Sequence, residues 1–98
     1  MVPEIETIQQ MIDSRYAKLQ EQILPEERVG IIPLPHILQK KENDLIEASE
    51  ILMMLETERR KDKLEQIKED FCRHVHSQDD EIFREVIQLI DCKAKGGS

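Results

Sequence analysis

Between Pro35 and Gly96 the chain contains neither proline nor glycine. Those residues interrupt regular backbone most strongly, so their absence over about sixty residues removes the usual signals for turns and leaves long helices as the expected structure. Tryptophan is missing and aromatic residues make up only 3%. The core must therefore be built from Leu, Ile, Met and Val, the palette of a helical bundle or coiled coil rather than of a β-sandwich. Scarce glycine also removes the phosphate-loop and dinucleotide fingerprints. It leaves no glycine-rich turn to supply oxyanion donors beside a nucleophile. No apolar run approaches the roughly 20 residues that span a bilayer.

What is abundant is charge. Charged residues form 36% of the 98 positions, and 21 acids against 14 bases give a net charge of −7. That balance disfavours a bare phosphate backbone or an anionic lipid surface as partner. The length suits one domain with one modest core. Residues 1–95 are expected to form a single all-helical domain with a loop at 24–35, and residues 96–98 a flexible tail. Cys72 and Cys92 follow no secretory leader, which points to free thiols in a reducing, intracellular compartment, cytoplasm or nucleus.

Along the chain, Pro3 suits a first helical turn, with Glu4 and Glu6 near the positive end of the dipole. Ile5, Ile8, Ile12, Tyr16, Leu19 and Ile23 follow at spacings of 3, 4, 4, 3 and 4, one stripe of a helix. Leu24-Pro25 stops it, because a residue before proline is pushed out of the α region. From Pro25 to Pro35, three prolines and one glycine exclude a regular helix, yet Val29, Ile31, Ile32 and Leu34 are too apolar for a solvated loop. These side chains are expected to close one end of the bundle as a lid. The alternative is an extended strip left open to a partner, since proline-stiffened segments lose little entropy on docking.

A second helix is expected from His36 or Ile37 to at least Leu55, its seam running through Leu38, Leu45, Ala48, Leu52 and Leu55. Ile46, Ile51, Met53 and Met54 widen the arc and call for neighbours on two sides or a dimer partner. Core packing is expected for the methionine pair, with an adaptable binding surface as the alternative. Residues 56–63 are polar throughout, and Leu64, Ile67, Phe71 and Val75 then resume a stripe. With no breaker present, one helix of about forty residues is favoured over a turn near Thr57 to Lys61. Ser77-Gln78-Asp79-Asp80 resembles a capping box that opens a last helix bearing Ile82, Phe83, Val86, Ile87, Leu89 and Ile90.

The expected fold class is therefore all-α: a bundle of three to four antiparallel helices with coiled-coil-like packing, of which a long central helix and a dimer are the elongated form. The expected function is a non-enzymatic interaction or assembly module, a scaffold, adaptor or regulatory subunit that binds a protein partner or a second copy of itself. No cofactor, metal or small-molecule substrate is implied. The candidate contact residues are Val29, Ile31, Ile32, Leu34, Met53 and Met54, together with the basic cluster Arg59, Arg60, Lys61 and Lys63. That cluster is either a solvated band with helical pairs such as Glu56 and Arg60 or a surface for an acidic partner. Nucleic-acid binding through Arg59 to Lys63 is a second class. A third is metal binding, for which Cys72 and His76 share a helical face and Cys92 could approach if the last helix folded back. His74 would point elsewhere.

Overall fold

The computed structural model describes residues 4–96, and the first-turn role expected of Pro3 lies outside them. Among the described residues the chain forms five helices and no strand: α1 Ile5–Gln22, α2 Pro25–Arg28, α3 His36–Thr57, α4 Lys61–His74 and α5 Glu81–Ala94. α3 touches α1, α4 and α5, while α1 and α4 each also contact α5.

α1 ends where the proline rule places it, with Ile23 extended as its cap. Ile8, Ile12, Leu19 and Ile23 are buried. Tyr16 stands at the margin of the stripe and stays 39% exposed, in keeping with a phenol that has a wet end. The segment expected to be all loop contains one helical turn, α2. Pro25 has its φ preset for a first helical position, Glu26 and Glu27 favour the positive end, and the Glu27 carboxylate accepts the Leu24 N–H at 3.1 Å.

The long central helix does not form. α3 stops at Thr57, residues 58–60 are non-helical, and α4 starts at Lys61. The reason lies in helical phase. Leu55 and Leu64 are nine residues apart, about half a revolution on an unbroken helix, so only one of them could face a given neighbour. Both are fully buried in one core, which requires the chain to turn between them. No apolar side chain in 56–63 resists that turn. Glu58 supports it by accepting the Arg60 N–H at 3.1 Å at the start of α4.

α4 then folds back along α3, bringing His76 and Ser77 to Asp44. α5 reverses again. Phe71 stacks on Phe83 and Lys68 meets Asp91, so partner numbers rise along α5 as they fall along α4, and the two helices are antiparallel. The start of α5 also differs from expectation. Its cap is Asp80, whose Oδ1 accepts the Ile82 N–H at 2.8 Å, rather than Ser77, whose N–H is held by Asp44. At the other end Gly96, expected in the tail, adopts φ 72° and donates to the Lys93 carbonyl at 3.0 Å, closing α5 in the left-handed conformation that glycine tolerates. Gly97 and Ser98 lie outside the described residues.

The buried core draws on α1, α3, α4 and α5 and contains only apolar side chains among the described residues. No helix among them is long and apolar enough to cross a membrane.

Candidate functional site

The residues singled out by the sequence fall at opposite ends of one helix. Val29, Ile31, Ile32 and Leu34 precede α3, whereas Met53 and Met54 occupy its last turns and Arg59, Arg60, Lys61 and Lys63 follow it. With 22 residues α3 is about 33 Å long. The two groups therefore make two separate surfaces.

At the first end the expected lid is not closed. Val29 and Ile31 are 71% and 73% exposed, and Ile32 is exposed as well. Leu34 alone of the four turns inward, against the core. The strap's own backbone bonds decide this. The Ile31 and Ile32 N–H groups both donate to the Glu26 carbonyl, at 2.8 and 3.3 Å, with Gly30 at φ 81° allowing the reversal. The Arg28 guanidinium ties the same turn to the Gln20 carbonyl at the end of α1. The main chain is thus held while its apolar side chains face water. Leu24 and Ile37, at the two ends of the same segment, are exposed as well. Neither was a sequence candidate, although Ile37 sits one position off the Leu38–Leu45 seam, which is the signal that could have marked it.

At the second end Met53 and Met54 are exposed, and so is Ile46, which overturns the expectation that they pack in the core. α3 buries Leu45, Ala48, Ile51, Leu52 and Leu55 against three helices. Ile46 and Met53, seven residues apart, share a stripe that points away from those neighbours. Arg59, Arg60, Lys61 and Lys63 are all exposed. The expected Glu56–Arg60 helical pair is lost with the helix, and Arg60 Nε lies 3.7 Å from Glu58 instead. Lys93 from α5 joins this basic region. Burial holds its pKa below the ordinary value, and the nearby Arg59 charge adds to the effect.

The cysteine and histidine candidates are dispersed. α5 does fold back over α4, but the register puts Asp91 beside Lys68, so Cys92 lies a turn or more away from the level of Cys72. Both cysteines are half-buried free thiols. His74 Nδ1 is 2.7 Å from the Asp70 carbonyl of its own helix, and His76 Nδ1 is 2.9 Å from Asp44 Oδ1. Among the described residues no three His, Cys, Asp or Glu side chains converge to hold a metal ion.

The polar knot that the sequence did not disclose is centred on Asp44. Its Oδ1 accepts the His76 N–H at 2.9 Å and its Oδ2 the Ser77 N–H at 3.1 Å. A second tie, Arg15 to Asp80 at 2.6 Å, fastens α1 to the start of α5. No protein-family model, curated protein or solved structure gave a significant match to this chain.

Proposed function

We propose that this chain is a non-enzymatic protein–protein interaction module that pairs with a second copy of itself through the apolar strap from Leu24 to Ile37. The carrying observation is that Val29, Ile31 and Ile37 are each about 70% exposed on a backbone fixed by its own hydrogen bonds. Exposed apolar side chains this close together in sequence favour cover by another surface. A strap already held in shape gives up little further entropy when it is covered. Pro33 and Pro35 add stiffness and lack N–H donors, so docking here runs on side-chain burial rather than on strand addition.

The test is molar mass by light scattering across a wide range of loading concentrations, for the native chain and for the double substitution Val29→Ser with Ile31→Ser. A native mass near twice 11.5 kDa that falls to the single-chain value in the variant, with unchanged circular dichroism, supports the reading. A native chain that stays monomeric at every concentration removes self-association. A dimer that survives the double substitution removes the strap as its interface.

A further inference from the structure

A cavity of about 310 Å³ opens between α1, α3 and the turn leading into α5, lined by neither the exposed methionines nor the basic cluster. That volume is at the lower end of the range for small-molecule sites. Its walls repeat one helical pattern, with lining residues at positions 15, 18, 19 and 22 of α1 and at 41, 44, 45 and 48 of α3. In each set the spacing is i, i+3, i+4 and i+7, so one continuous face of each helix borders the space. Leu19, Leu45, Phe71, Val75, Ile82 and Phe83 make an apolar interior.

The charges at the mouth are divided between those already engaged and those left over. Arg15 is bound to Asp80, and Asp80 also caps α5. Both Asp44 oxygens are occupied by the His76 and Ser77 amides. Lys18 and Lys41 line the same opening from opposite helices, are exposed, and make no ion pair or side-chain hydrogen bond among the described residues. The two lining charges without a partner are therefore positive, one on each wall, while Asp44 keeps its negative charge, largely covered, on the α3 wall.

We infer that this cavity is a binding site for a small amphipathic carboxylate, its anionic head between Lys18 and Lys41 and its hydrocarbon part against Phe83 and Val75. The space is wide enough for a short hydrocarbon chain carrying one anionic head, and octanoate is a probe of that kind. A bare inorganic anion leaves the apolar floor uncovered, and an apolar cation meets two lysines. Lysine as a point charge accepts a carboxylate without demanding a fixed geometry.

The experiment is a titration of the full chain followed by amide NMR shifts, with octanoate, octylammonium and acetate as probes. Octanoate is expected to saturate one site and to move amides in residues 15–22, 41–48 and 75–83. Octylammonium binds at least tenfold more weakly, and acetate does not saturate. Lys18→Glu with Lys41→Glu, two exposed positions whose change leaves the core intact, is expected to weaken octanoate at least tenfold and to strengthen octylammonium. Equal affinity for octanoate and octylammonium overturns the site, as does octanoate binding that the double variant leaves unchanged. Shifts centred on Val29 to Ile37 overturn it too, because they place the probe on the strap.

Discussion

Asp44 and His76 are 32 residues apart, yet one Asp44 oxygen faces both the main-chain N–H and the ring Nδ1 of His76, each at 2.9 Å. The other oxygen takes the Ser77 N–H. A single carboxylate on the early part of α3 thus satisfies the backbone of the link between α4 and α5. Asp44 is mostly covered, with its side chain 14% exposed, so water competes poorly for those donors.

Replacing Asp44 with Ala should therefore cost about 2 kcal/mol of unfolding free energy, the loss expected when a charge-assisted hydrogen-bond group is removed. Asn keeps one acceptor oxygen and should cost about half as much. Urea unfolding of the two variants beside the native chain checks the order. Equal stability of all three would mean that the link is held by packing alone.

Phe71 is the largest of the fully buried side chains, and its ring stacks on Phe83 with centroids 5.1 Å apart. Phe71→Ala should lose about 3–5 kcal/mol, since it combines lost apolar transfer with a cavity. Phe83 is only partly buried, so Phe83→Leu should lose about 1 kcal/mol, mostly the ring contact. Unfolding midpoints at constant denaturant slope measure both. A Phe83 effect as large as that of Phe71 would relocate the centre of the core.

The Lys68 ammonium donates to Asp91 at 2.8 Å. That hydrogen bond, opposed in part by desolvation and helped by the Asp91 charge, raises its pKa above the ordinary 10.5. Because the folded value is the higher one, the pair's contribution is fully present below pH 10.5 and is lost as pH rises through the folded value. Both side chains are well exposed, which limits the contribution to about 0.5 kcal/mol. Lys68→Met should therefore be slightly less stable than the native chain at pH 7, and the gap should close above pH 10.5. Lys93 has the opposite sign. Its lowered pKa makes the fold gain stability as pH rises toward 10.5. A Lys68→Met gap that persists unchanged into strong base would show that the methylene packing of Lys68, not its charge, matters.

The α1 stripe, the stop at Pro25, the start of α3 at His36 and the apolar face of α5 were all legible in the sequence, because spacing and punctuation are properties of neighbouring residues. The break at 58–60 was legible only as the disfavoured alternative, a turn near Thr57 to Lys61. It has no proline or glycine to announce it, and it exists because Leu55 and Leu64 must reach the same core. The candidate surfaces were legible as residues but not as places. Val29 and Ile31 were expected to close a lid, with an open strip as the alternative, and two backbone bonds to the Glu26 carbonyl and one from the Arg28 side chain to the Gln20 carbonyl decided for the open one.

By itself, then, the sequence determined that the chain is helical and which residues within each helix share a face, since the 3.6-residue period is local. Only the tertiary structure decided which apolar arcs are covered. Met53 and Ile51 are equally hydrophobic for this purpose, but α3 has neighbours on one side and water on the other. It also decided where Asp44, His76, Lys18 and Lys41 meet the rest of the molecule. The physical reason is that burial and pairing depend on how many helices surround a position and at what register, and those quantities belong to the assembled bundle rather than to any one segment.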